Sequence, residues 1–128
     1  MAGRHATWLI VVGSVLAAVG VLTGAFGAHG LADRAGAGAL QTWDTAVRYQ
    51  LVHALALVTV GVFSRRAGAS SWAQIAGFGF VVGIGLFCGA LYCLALDGPR
   101  VVARLAPVGG ISFVIGWLAL AMAALRED

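Results

Sequence analysis

The sequence predicts an all-α integral membrane protein, a four-transmembrane-helix up-down bundle packed tightly through glycine and alanine faces. Three observations predict it. Hydrophobic residues make up 61% of the chain and charged residues only 10%, with mean hydropathy +0.96. Soluble domains carry about 25% charged residues, so this chain has too little polar surface to cover itself in water. The charges gather between four long apolar runs. Glycine, 19 residues in all, recurs at helical three- and four-residue steps. In water each internal glycine would cost a helix about 1 kcal/mol, whereas in a membrane it lets backbones approach closely. The 128 residues leave room for one domain, 1–128, and no second.

The first helix is expected at about 7–29, with no formal charge inside it and Trp8 at the interface. Gly13, Ala17, Gly20, Gly24 and Gly27 share one face of it. The start, Met-Ala-Gly-Arg-His, and the later GAFGA imitate a secretory signal and its cleavage site. The apolar run of about 22 residues exceeds the 7–15 of a signal core, so a retained helix is expected. The run ends in Thr23–Leu31, where small residues surround His29.

A short linker carrying Asp33 and Arg34 leads to the second helix, about 39–64. At 100° per residue, Thr42, Ala46, Tyr49, Gln50 and His53 fall on one face and Gln41, Asp44 and Arg48 on the other. Asp44 and Arg48 form an i,i+4 pair. An arginine at mid-bilayer costs at least about 2.5 kcal/mol, so Arg48 belongs at headgroup depth, with His53 about one turn deeper. Arg65-Arg66 begins the next connection, in which Ser70 or Ser71 is placed to cap a third helix, about 72–96, anchored by Trp72. Gly79-x-x-x-Gly83 and Gly85-x-x-x-Gly89 lie on different faces of that helix, so both of its sides are expected to be packed. Asp97-Gly98-Pro99 is a turn. The fourth helix, about 106–125, has Pro107 in its first turn and a stripe of Gly109, Ser112, Gly116, Ala119 and Ala123.

Four motifs, GAFGAHGL, then W-x-T-A-V-x-Y-Q-x-x-H-A-L-A-L at 43–57, G-x-G-L-F-C-G-A-L-Y at 83–92, and A-P-V-G-G-x-x-F-x-x-G-W at 106–117, run in order through nearly the whole chain. Together they resemble the domain-of-unknown-function 423 family. The resemblance implies a small multi-pass membrane protein, of the inner membrane in bacteria, and no defined activity.

The residues themselves point away from catalysis. No acid lies inside a span, and there is no P-loop, HExxH, GxSxG or CxxC pattern. Cys88 and Cys93, five apart, stand about 140° apart on a helix and read as small hydrophobes, neither a metal pair nor a local disulfide. The net charge of +3 is made by arginines alone, scattered as topology residues and not as a nucleic-acid patch. No catalytic residue, metal ligand or cofactor is expected. The candidate polar cluster is His29, Tyr49, Gln50 and His53, expected to point into the bundle where the first two helices join, with His29→Ala costing about 1–3 kcal/mol. Two facing histidines could hold a haem or metal. The plainer expectation is that each bonds a neighbour.

The expected helix-packing residues are Gly13, Gly20, Gly24, Gly27, Gly85, Gly89, Gly109 and Gly116. Expected partners are the lipid bilayer and a second copy of the chain or another membrane protein, in a structural, accessory or envelope-maintenance role. The alternative is a small-solute or lipid-binding transporter-like protein that uses the polar cluster. The first helix usually sets orientation, and Arg4 precedes it, so both termini are expected in the cytoplasm of a bacterium.

Overall fold

In the computed structural model, which describes residues 2–68 and 70–126, four hydrophobic spans cover Gly3–Leu31, Ala37–Ala67, Ser71–Ala95 and Arg100–Leu125. A span of 25–31 residues is about 37–46 Å long at 1.5 Å per residue, enough to cross the ~30 Å hydrocarbon core and reach into both headgroup layers. Among the described residues there is no strand.

The first span is helix α1 (Ala2–Phe26) followed by a π-helical turn, Gly27–Leu31. The second is one uninterrupted helix, α2 (Ala37–Ala67). It stops at Gly68, whose φ of 91° lies in the left-handed region glycine tolerates. The third span is α3 (Ser71–Gly83), a second π-helical turn (Ile84–Cys88) and α4 (Gly89–Ala95). Ser70 holds the N-cap position of α3, but its side chain makes no capping bond. Beyond α4 the Gly98 N–H donates to Cys93 O (2.8 Å) while Asp97 adopts φ 60°. This is a Schellman-type stop, with an aspartate in the place usually given to glycine. A 3₁₀ turn, Arg100–Arg104, leads into α5 (Leu105–Leu125), so Pro107 falls in the first turn, where its missing N–H is harmless.

The spans pack as two close pairs, α1 along α2 and α3 along α5, and α2 joins the pairs by touching α3 and α4. The core lies between them, centred on the fully buried Phe80, Leu57, Val60 and Cys88. A second small cluster, Leu31, Trp43 and Ala95, closes the end where α1 passes to α2. Large apolar residues left on the outside, such as Val15, Leu22, Ile111 and Leu118, form the flanks that a bilayer covers.

The glycines explain the close approach. Along the first span, Gly13, Gly20 and Gly27 are buried seven residues apart, a heptad seam that stays on one side of the helix. A Cβ at Gly13 would stand 2.8 Å from Ala54 O, at Gly20 2.7 Å from Leu51, at Gly24 3.3 Å from Val47 and at Gly27 2.6 Å from the Trp43 ring. Every one of these partners is on α2, so the α1 stripe is spent within the chain. Gly109 meets the backbone of Phe87, and Gly116 the ring of Phe80.

Gly85 and Gly89 do not follow the expectation. Both are exposed, and a Cβ at either would meet nothing within 4 Å. The third span is packed on two sides all the same: Gly79 and Gly83 meet Ser112, Gly116 and Phe113 of α5, and Gly77 meets Leu9 of α1.

Candidate functional site

Ala46, Gln50 and His53 follow one another at four- and three-residue steps along α2, and all three are buried. Ala46 keeps the surface low, so neighbouring helices close over the two polar side chains. Gln50 and His53 are 3% and 5% exposed and are the buried polar or charged residues of the core. At membrane depth such groups must find partners inside the protein.

Gln50 finds them on two other spans. Its amide N–H donates to Leu16 O on α1 (2.8 Å), and its Oε1 accepts the Tyr92 hydroxyl from α4 (2.7 Å). Glycine at position 20 leaves the space: a Cβ there would sit 3.6 Å from the Gln50 amide nitrogen. The single Tyr92 proton is therefore committed to Gln50, and the lone pairs of the Tyr92 oxygen face Thr23 Oγ1 at 3.1 Å. Thr23 Oγ1 also lies 3.1 Å from Gly20 O, and the Thr23 carbonyl accepts the Trp43 indole N–H (2.8 Å). Trp43 then packs edge-on against Tyr92, with centroids 4.6 Å apart. The chain Leu16–Gln50–Tyr92–Thr23–Trp43 thus ties the first three spans together.

His53 supplies the fourth. Its Nδ1 lies 2.6 Å from Tyr49 O, and its Nε2 lies 3.1 Å from the Trp117 indole nitrogen on α5. Indole can only donate and a carbonyl can only accept, so Nε2 is bare and Nδ1 carries the hydrogen. The imidazole is neutral, in one tautomer, and lies flat on Phe113 with centroids 3.6 Å apart and planes 13° from parallel. Among the described residues no buried side-chain nitrogen or oxygen lacks a partner.

The expected quartet does not assemble. His29 is exposed on the Gly27–Leu31 turn. It stands two residues from each of the buried Gly27 and Leu31, and positions i and i+2 of a helix do not share a face. Tyr49 is 43% exposed; its ring lies against Phe87 and stacks beside the His53 ring (centroids 5.9 Å apart), and its backbone carbonyl, not its hydroxyl, is what bonds the His53 unit. His29 and His53 therefore do not form a facing pair.

Tyr92, Thr23, Trp43 and Trp117 complete the network instead. Tyr92 and Trp117 end the third and fourth sequence motifs, and Trp43 opens the second. A usable signal was depth: Trp117 stands eight residues before the end of α5, too deep for a headgroup anchor, so its N–H had to be paired inside.

Chemically the two units are closed. A glutamine amide cannot move protons, both nitrogens of His53 are engaged, and Cys88 is fully buried. No group of three or more His, Cys, Asp or Glu converges among the described residues. Beside the His53 ring a shallow crevice of about 140 Å³, lined also by Arg48, Tyr49 and Val52, opens toward lipid.

Comparison with known proteins gives a consistent result. Residues 23–110 match the model of a family described as "Protein of unknown function (DUF423)". A UPF0382 membrane protein of Staphylococcus epidermidis is 40% identical over 118 residues, covering 91% of this chain and 94% of the relative. The UPF0382 membrane protein YwdK of Bacillus subtilis is 35% identical, covering 91% and 95%. One from Haemophilus influenzae is 37% identical, covering 84% and 85%. No solved structure matches the chain significantly.

Proposed function

The chain belongs to the DUF423 family of small membrane proteins of unknown function, and on that footing we propose a structural or accessory role in the bacterial inner (plasma) membrane, with both termini in the cytoplasm. On this reading the protein is neither an enzyme nor a transporter. It acts through its outer surface on the bilayer and on a second copy or another membrane protein. One observation carries the proposal: both polar ends of Gln50 and the Nε2 of His53 bond to other spans while His53 Nδ1 bonds to its own helix, so the polarity inside the bundle is used to hold it shut. A transport path needs polar groups that can trade partners with a solute or with water. The His53 crevice also supports the structural role, since Arg48 is the only formal charge in its lining.

The test is mass spectrometry of the full chain gently extracted from its membrane, after brief crosslinking in intact cells. A recurrent protein partner or a self-crosslink supports the accessory role. A stoichiometric small molecule lost on His53→Phe would replace it with the solute-binding alternative. Single cysteines introduced near the termini and labelled from outside intact cells test the orientation; labelling before lysis would reverse it.

A further inference from the structure

We propose that the end of the bundle where α1 begins and α5 finishes carries a binding site for one anionic phospholipid, seated between α1 and α3. Leu9 of α1 rests on the bare Gly77 of α3, where a Cβ would come 2.5 Å from Leu9. Beside that contact the two helices leave a crevice of about 250 Å³, lined by His5, Trp8, Leu9, Gln74 and Phe78. It is smaller than the ~300 Å³ at which drug-sized sites begin. It therefore fits part of a molecule, such as a phosphate with the first methylenes of a chain.

The lining has the two halves such a ligand needs. Leu9 and Phe78 are apolar, and Phe78 stays 69% exposed toward the lipid side. The Trp8 indole N–H, the His5 imidazole and the Gln74 amide are polar groups, and none has a side-chain partner among the described residues. Indole and amide hydrogens at an interface normally engage an acceptor, and a phosphodiester offers two strong ones.

Charge selects the headgroup. The described residues of this end include Arg65, Arg66 and Arg126 and no carboxylate; Asp33, Asp44 and Asp97 belong to the opposite end, and Glu127 and Asp128 lie outside the described residues. Arg65 is drawn onto α1 by its bond to Thr7 Oγ1 (3.0 Å), and Arg126 is held 5.3 Å over the Trp72 ring. These two guanidinium groups are thus held on the two helices that line the crevice, α1 and α3, and favour a lipid of net negative charge. The site shares no polar contact with the Gln50 and His53 units.

The experiment is native mass spectrometry of the full chain in mild detergent, titrated with phosphatidylglycerol or with phosphatidylcholine of the same chains. The expected result is one preferred phosphatidylglycerol, bound about tenfold more tightly than phosphatidylcholine. The pair His5→Ala and Gln74→Leu is expected to remove most of that preference while leaving the lipid-free melting temperature unchanged, because both side chains are exposed. Trp8→Phe keeps the ring, removes the N–H and gives a second, milder reduction. Equal binding of the two lipids would overturn the proposal as a merely apolar contact. An undiminished preference in the double variant would assign it to diffuse arginine charge. Equal stabilisation by inorganic phosphate alone would reduce the crevice to a free-anion site and overturn the lipid.

Discussion

The two close helix pairs are built from the same small residue by different rules. Along the first span Gly13, Gly20, Gly24 and Gly27 receive side chains or backbone of α2, chiefly the larger Leu57, Leu51, Val47 and Trp43, and α2 returns one glycine, Gly61, which receives Ile10 and the Ala6 carbonyl of α1. Between α3 and α5 the glycines of both sides receive aromatic rings or backbone. Gly83 takes Phe113, Gly116 takes Phe80, and Gly109 takes Phe87 of the intervening π turn. Ser112 adds a hydrogen bond to Gly79 O (2.8 Å). Where a glycine receives the end of an aliphatic side chain, as Gly20 receives Leu51, the knob can shift and relax. Where it receives a ring or backbone, as Gly83 and Gly109 do, the neighbour is locked, so the same Gly→Ala change carries different costs.

Gly109→Ala sharpens that comparison most. Its new methyl would press on the backbone of Phe87, which cannot rotate away, and a loss of about 3 kcal/mol is expected in reversible unfolding in detergent. Gln50→Leu comes next, because it leaves the Tyr92 hydroxyl without its acceptor; about 2 kcal/mol is expected, with Tyr92→Phe nearer 1. A double-mutant cycle in which these two losses simply add would break the claim that they act as one unit. Gly20→Ala tests a softer contact: Leu51 Cδ2 is the end of a flexible side chain, so the expected loss is below about 1 kcal/mol. A loss at Gly20 equal to that at Gly109 would erase the distinction between the two kinds of contact. The smallest effects belong to positions facing outward. His29→Ala and Gly85→Ala are each expected within about 0.5 kcal/mol of the parent in monodisperse protein.

Much of this was legible in the chain. Four apolar runs bounded by arginines, with Trp8 and Trp72 at their ends, predict four spans, and the first-span stripe predicts its own burial, because both follow from composition and a fixed helical period. The burial of Gln50 and His53 followed from Ala46 on their face and Arg48 on the other. What escaped depended on partners far along the chain, such as Tyr92 for Gln50 and Trp117 for His53, which no local pattern announces. The second π turn adds a further difficulty. It takes up about one extra residue, and one residue is 100° of rotation, so Gly89 and Tyr92 do not keep the phase that Gly79 and Gly83 set. His29 is a different kind of miss, since two-residue spacing from Gly27 already placed it outside.

The bonds of Gln50 and His53 also set an order of assembly. Protein chains form from the amino terminus, so the α1–α2 hairpin is complete while Tyr92 and Trp117 are still to be synthesised. At that moment the Gln50 amide can reach Leu16 O, yet its carbonyl and the Nε2 of His53 have no donor. The newborn hairpin is therefore greasy on the outside and thirsty on one side, a poor candidate for early release into lipid. Arrival of the third span quenches Gln50, and the fourth quenches His53, so the last helix inserted is the one that finally makes the hairpin content to leave its insertion machinery.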